Sequence, residues 1–292
     1  MGDATADAGS TGPLDRGSLQ RFRAEVIGQK NLPTIPAVLA RVLGLVERED
    51  SSTRDLVDLI EHDQALTGKM LRLANSAFFG QSRRVATIPR AVMLLGFSTV
   101  RNLALGVKVW DTIAPSIPSE RLRALWSHAV MVAVGSKVLT AKLCAGDPDE
   151  AFTAGLLHDV GRLILGARFK DAYWTAGAEP VRSIVDVEQA AFGVQHAEVG
   201  GWLLEAWGLP PSIVEAARLH HAAPHRPGIT ALVAATNRLV AATDVAERRL
   251  RPEAADALAR EAARGVTPEL WDVVIAALAE DGALDMFGRV EA

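Results

Sequence analysis

The chain has 292 residues, long enough for one large or two medium domains with a sizeable buried core. Hydrophobic residues make up 49%, charged residues 23% and aromatics only 5%. This excludes wholesale disorder and favours packed Ala- and Leu-rich helices over sheets, because strands draw on β-branched and aromatic side chains. A net charge of −4 gives no global pull toward nucleic acid or an anionic membrane.

Residues 1–17 are small and polar, predicting a disordered tail without the apolar region of a secretory signal. Structure is expected from Ser18. Residues 33–48 carry Val38, Leu39, Val42, Leu43 and Val46 at helical spacing. Ser52 and Asp55 form a capping-box pattern opening a helix that buries Leu56, Leu59 and Ile60. A further helix carries Leu66, Met70, Leu71 and Leu73 and ends near Asn75, whose side chain is read as satisfying free backbone groups. Phe78 and Phe79 are read as core residues. Pro89 suits the first turn of a helix that stops at Gly96, and Ser98 is expected to cap the next, which runs to Trp110. The break at residues 114–118 divides an N-terminal helical subdomain, 18–117, from a second, 118–246.

In the second half a long helix is expected from Ser119 to about Ala145, placing the single cysteine, Cys144, as a buried or half-buried apolar residue. One cysteine is consistent with a reducing cytoplasm. One helix is expected over 149–169, then others over 181–191, 196–207, from Pro211 to about His221, and over 229–246. Residues 247–292 read as a helical extension with apolar positions at Leu258, Leu270, Val274 and Leu278, serving either to pack on the body or to meet a partner. No strand alternation is evident and no apolar run reaches membrane-spanning length, so the predicted class is all-α.

Seven histidines are present, and the helical segments of the second half hold most of them. His158 and Asp159 stand together in the apolar stretch GLLHDVGRLIL, where an unpaired carboxylate would cost several kcal/mol. Neutral imidazoles with one carboxylate suit Fe, Mn or Zn better than Mg or Ca. The alternative is a metal-free network in which these groups satisfy one another. His62 and His225 are expected at the surface, and Trp126, Trp202 and Trp207 between helices near the histidines.

LPTIPAVLARVLGL, LVDLIEHDQALTGKMLRLANSAFFG, LWSHAV, GLLHDVGRLIL and FGVQHAEVGGWLLEAWGLPPSIVEAARLHH together resemble the HDOD domain, a relative of the HD and HD-GYP metal-dependent phosphohydrolases, over roughly residues 24–245. The resemblance implies an HD-like bundle over 118–246 with a metal pocket. In it His128 matches the first ligand, and His158 and Asp159 the signature pair, Asp159 bridging if two metals bind. His196 matches the additional histidine of the HD-GYP branch, and His220 and His221 the later pair. Asn237 stands where active enzymes have a final Asp ligand, and Arg162 where HD-GYP enzymes have a Lys near the reacting phosphate; both are assigned to ligand binding. The GYP loop is absent, the chain reading AAPHRPG. No catalytic residue is assigned.

The resemblance implies a bacterial cytoplasmic signalling module that acts by binding, through protein partners and a metal or nucleotide in the pocket. The competing reading is a phosphohydrolase acting on a nucleotide or cyclic dinucleotide. A nucleic-acid regulator would have to rest on the small basic clusters Arg83–Arg84 and Arg248–Arg249, without aromatic platforms or a wider basic stripe.

Overall fold

Caps and helix breakers divide the chain into short helices. The computed structural model describes residues 13–28, 40–42, 44–45, 52–75, 84–176, 183–222, 228–244, 249–250, 260–261 and 265–279. The expectations for Phe78, Phe79, Arg83, His225, Arg248, the Arg249 side chain and Leu258 lie outside them, as does most of the expected helix over 33–48; its described residues are helical and Val42 is buried.

Order begins earlier than Ser18. Helix α1 spans Arg16–Gly28, and the Leu14 amide already donates to the Phe192 carbonyl at 3.0 Å. Asp15 accepts from the Ser18 amide at 2.7 Å and so supplies the start signal. In α2 (Thr53–Glu61) the expected capping box is present: Ser52 Oγ accepts from the Asp55 amide at 3.1 Å and Asp55 accepts from the Ser52 amide at 3.3 Å. His62, which ends it, is exposed. Helix α3 covers Gln64–Ala74, and Asn75 at its end binds the Leu71 and Val85 carbonyls and the Val85 amide. Helix α4 (Ile88–Leu95) stops at Gly96, whose φ of 88° few other residues adopt. Helix α5 (Phe97–Ile113) follows directly, so Ser98 lies in its first turn rather than at its cap.

Asp63 caps α3 through the Leu66 amide at 3.0 Å and meets Lys108 of α5 at 2.8 Å. Its burial opposes the charge, but the Lys108 and amide bonds outweigh it and hold the carboxyl below its usual value of 3.8. A depressed folded-state pKa stabilises above the unfolded value and is lost as pH falls through the folded one. Asp63→Asn should therefore cost about 1 kcal/mol at pH 7, and the difference from wild type should shrink below pH 4 in urea melts.

After a 3-10 turn at Ala114–Ser116 come α6 (Ser119–Leu143) and α7 (Pro148–Leu157). Helix α6 ends at Cys144, which has left-handed φ of 51° and is exposed, not buried as expected. By length and composition α6 could cross a membrane, contrary to the sequence reading, but most of its apolar stretch is buried within the fold. Its Lys137 pairs with Asp149 at 2.6 Å, and Asp149 also accepts from Thr99 of α5, so these charges join the two halves.

The single helix expected over 149–169 is two. Helix α8 spans Val160–Phe169, and the chain breaks at His158–Asp159, with Asp159 at φ −98° and ψ 10°. Asp159 takes the N-cap position but makes no capping bond, because its carboxylate is turned inward to the histidines. Then follow α9 (Asp171–Ala176), α10 (Ile184–Phe192), α11 (His196–Ala206), α12 (Pro211–Leu219) and α13 (Ile229–Ala241). Helix α13 ends before residue 246 because the chain forms a short antiparallel pair, Thr243–Asp244 with Arg249–Leu250. Helix α14 (Pro268–Ala279) packs on α6 through buried Trp271 and Val274.

Helix α6 lies at the centre, against α7, α13 and α14, while α11 lies against α8 and α12. Helix α5 docks the N-terminal helices onto α7. Helix α1 crosses to the other half of the chain, where Phe22 meets the rings of Phe169 and Trp202. Trp126 is fully buried, edge-on to Trp110 at 5.1 Å, and Trp202 and Trp207 are also buried. Among the described residues the fold is all-α apart from the short antiparallel strand pair.

Candidate metal centre

Five elements meet at one point. His128 projects from α6; His158 and Asp159 occupy the break between α7 and α8; His196 opens α11; His220 and His221 follow α12; Asn237 lies on α13. The break matters chemically, since a continuous helix would swing successive side chains around its axis.

Asp159 Oδ1 lies 3.1 Å from His196 Nε2, 3.3 Å from His220 Nε2 and 3.7 Å from His158 Nε2. Its Oδ2 accepts from Arg162 Nη1 at 3.3 Å and lies 4.0 Å from His128 Nε2. His221 Nε2 is 3.0 Å from His196 Nε2. Two ligand groups result, Asp159 with His196, His220 and His221, and Asp159 with His128 and His158; Asp159 belongs to both.

The outer ring nitrogens are anchored. His158 Nδ1 faces the Gly155 carbonyl at 2.7 Å and His220 Nδ1 the Ala217 carbonyl at 2.8 Å. A carbonyl only accepts, so each Nδ1 carries a proton and each Nε2 is turned inward, where His158, kept neutral by burial, presents its lone pair as a metal requires. His158 Nε2 is buried with no hydrogen-bond partner among the described residues. That orphaned acceptor, beside a convergent carboxylate, fits a divalent cation better than a self-satisfied network.

Burial leads the electrostatics. It drives His158 well below the usual histidine range and lowers His128. His221 falls to about 3 through burial and the neighbouring His220 and His196. Burial also opposes the Asp159 charge, but His158, Arg162, His196 and His220 overcome it and hold the carboxyl well below the usual range. His196 is the exception: against burial, its bonds to Asp159 and Glu188 raise it to about 9.

Glu188 was missed in the sequence. It is fully buried on α10; its Oε2 accepts from the His196 amide at 2.8 Å and faces His196 Nδ1 at 2.6 Å, while Tyr173 donates to its Oε1 at 2.6 Å. The available signal was a charge aligned with Ile184 and Phe192 on one helix face. Glu188→Gln should weaken retained metal roughly 10–100-fold while the helical fold persists, readable by competition with a chelator.

A cavity of about 440 Å³ opens onto the cluster, lined by His128, Asp159, Arg162, His221, Asn237 and Arg238. His158, His196 and His220 lie behind this wall, fully buried. His128 Nε2 sits 2.8 Å from Asn237 Oδ1, so the amide is a partner of the first histidine. Arg260 and Glu261 close another side, and Arg238 reaches Glu261 at 2.7 Å; neither Arg238 nor Glu261 was singled out in the sequence.

The HDOD domain model matches residues 32–223, more than half of the chain. This chain belongs to the HDOD family. An uncharacterised protein of Treponema pallidum (strain Nichols) is 29% identical to this HDOD protein over 203 residues, 68% of this chain and 39% of that one, so the chain spans well under half of that relative. An HDOD domain protein of unknown function from Geobacter sulfurreducens matches with a TM-score of 0.68 at 25% identity, covering 94% of this chain and 93% of that one. A candidate phosphohydrolase from Shewanella amazonensis matches with a TM-score of 0.68 at 24% identity, covering 91% and 96%, and shares the fold. The six residues assigned to metal ligation on the resemblance all lie in the cluster, and Arg162 and Asn237 line the cavity beside it. The N-terminal boundary of the match falls after α1 and its C-terminal boundary before Asn237.

Proposed function

We propose that this HDOD protein is a regulatory module that acts by binding, with a divalent transition metal in the histidine pocket and protein partners outside it. The observation that carries the reading is the contact of His128 with Asn237 at 2.8 Å. It puts a neutral amide where a second carboxylate would be needed to balance two divalent cations and to orient a water.

His158, Asp159, His196, His220 and His221, with His128, would hold the metal. The metal would supply Lewis acidity toward an anionic ligand. Glu188 orients His196, and Arg162 steers Asp159 while facing the cavity. Iron, manganese and zinc fit this donor set. The Shewanella relative's description supports the second reading, a phosphohydrolase, since Arg162 and Arg238 line the same cavity and could hold a phosphate ester.

Elemental analysis of protein purified without chelator or air tests the metal: wild type is expected to carry stoichiometric Fe, Mn or Zn, and His158→Ala/Asp159→Ala none. Absence of metal from both would sink the metal part. For the activity, metal-loaded wild type is expected to show no turnover of nucleotides, cyclic dinucleotides or an aryl phosphodiester above the double variant. Turnover that disappears in the double variant would establish the hydrolase instead.

A further inference from the structure

One wall of the histidine cavity lies beyond residue 223, where the HDOD match ends. It is made by Arg238 of α13 and by the helical residues Arg260 and Glu261. The Arg238 side chain is 33% exposed and Arg260 is exposed, whereas Glu261 is buried. A buried carboxylate keeps its charge only when it is paired. Arg238 pairs with it: Nε donates to Glu261 Oε1 at 2.9 Å, and Nη2 approaches the same oxygen at 2.7 Å. Arg238 Nη1 donates to the Ala222 carbonyl at 3.3 Å. Each guanidinium nitrogen of Arg238 is thus directed at an oxygen of the protein, so an incoming anion has to replace one of them.

The chain holds Glu261 from the other side. The Val266 amide donates to the Glu261 carbonyl at 3.3 Å, past a turn at Gly265 with φ of 83°. Val266 is fully buried, and α14 follows at once on α6, with Trp271 Nε1 donating to Thr243 Oγ1 at 3.3 Å. Residues 260–279 therefore form a strap. Its far end is fixed to α6, the helix that carries His128, and its near end is latched to the cavity through Arg238.

Three guanidiniums, Arg162, Arg238 and Arg260, line the cavity against the carboxylates of Asp159 and Glu261. Asp159 is turned to the histidines and Arg162. Glu261 is the carboxylate that holds an anion's place at Arg238. An arginine fork is matched by two oxygens of one anion, and Glu261 meets Nε and Nη2 with a single oxygen. A phosphate brings two oxygens to the fork and more negative charge.

We propose that Glu261 is an internal competitor of the pocket's ligand: a phosphate group, free or in a phosphate monoester, takes the Nε–Nη2 fork of Arg238 by displacing the Glu261 carboxylate and so unlatches the strap. Pocket occupancy then reaches the outside of the protein through residues 260–279. This rests on the reading of the cavity as a site that acts by binding, and it supplies the step that turns occupancy into a change of shape.

The test titrates the full chain, as purified, with inorganic phosphate and with glycerol 3-phosphate by calorimetry, and follows hydrogen exchange across residues 260–271. Glu261→Gln keeps the shape and removes the charge, so it should bind phosphate roughly tenfold tighter than wild type, and Arg238→Gln at least tenfold more weakly. Metal content should be the same in wild type and Glu261→Gln, because Glu261 belongs to neither ligand group. In wild type, phosphate should speed exchange across 260–271. The tighter of the two ligands identifies the source, free ion or ester. The proposal is overturned if Glu261→Gln binds no tighter than wild type, if Glu261→Gln loses metal, or if Arg238→Gln binds as wild type does. The exchange measurement needs no variant, so exchange left unchanged by saturating phosphate overturns it even where Glu261→Gln fails to fold. Those results leave the binding reading of the pocket standing. Absence of binding of either ligand by wild type and Glu261→Gln alike would overturn the proposal and the anion-binding reading together.

Discussion

Asp159→Ala is expected to release all bound metal and to destabilise the chelated protein by about 3–5 kcal/mol, the usual cost of removing one partner of a buried charge network. Asp159 is only 4% exposed and is the one carboxylate common to both ligand groups. Its removal leaves the Arg162 Nη1 and His196 Nε2 contacts at 3.3 and 3.1 Å without a counter-charge. His196 keeps only Glu188 to balance its proton. His158→Ala should also lose metal but cost less, because the deleted imidazole is neutral and its Nε2 has no partner to abandon. Elemental analysis and urea melts on the two variants separate these effects. Stoichiometric metal retained by Asp159→Ala would show that the cluster is not the site.

Gly161→Ala should cost about 3 kcal/mol or more and lower the midpoint of thermal unfolding by roughly 6–12 °C. A Cβ at Gly161 would fall 1.9 Å from the His196 carbonyl oxygen and 2.7 Å from the Gly200 amide nitrogen. Both are backbone atoms, so no side chain can swing away, and α8 must move off α11. That displacement carries His158 and Asp159 away from His196, so metal retention should fall together with stability. A variant that melts like wild type would mean that the two helices do not approach so closely in solution. The same crossing explains why a glycine follows Asp159 by two residues: bringing a carboxylate to the first residue of another helix requires the two backbones to touch.

In the N-terminal half two local signals were read correctly, whereas Ser98 fell in the first turn of α5 and the start at Asp15 lay in the expected tail. Ser52 with Asp55, and the helix stop at Gly96, operate within one turn of chain and do so regardless of what packs nearby. The candidate ligand residues stood out because His and Asp in an apolar run are chemically out of place there, and because the motifs match a family. The break at His158–Asp159 was missed because apolar residues continue at helical spacing on both sides, through Leu156, Leu157, Leu163 and Ile164. Cys144 was misplaced because its surroundings read as helix, whereas it forms the left-handed end of α6.

Composition and spacing in the sequence therefore determined an all-helical chain and the capping at Ser52, while the resemblance of its motifs to a family implied the set of histidines that, with Asp159, could bind a cation. Only the tertiary structure decided that His158, His196 and His220 turn Nε2 inward with Nδ1 anchored, that Glu188 and Tyr173 stand behind His196, and that Arg162 and Asn237 line the cavity beside the cluster. The physical reason is range: a cap or helix stop is settled by neighbours a few residues away. By contrast, a lone pair's direction and a cavity's wall depend on helices distant in sequence, brought together by the burial of their apolar faces.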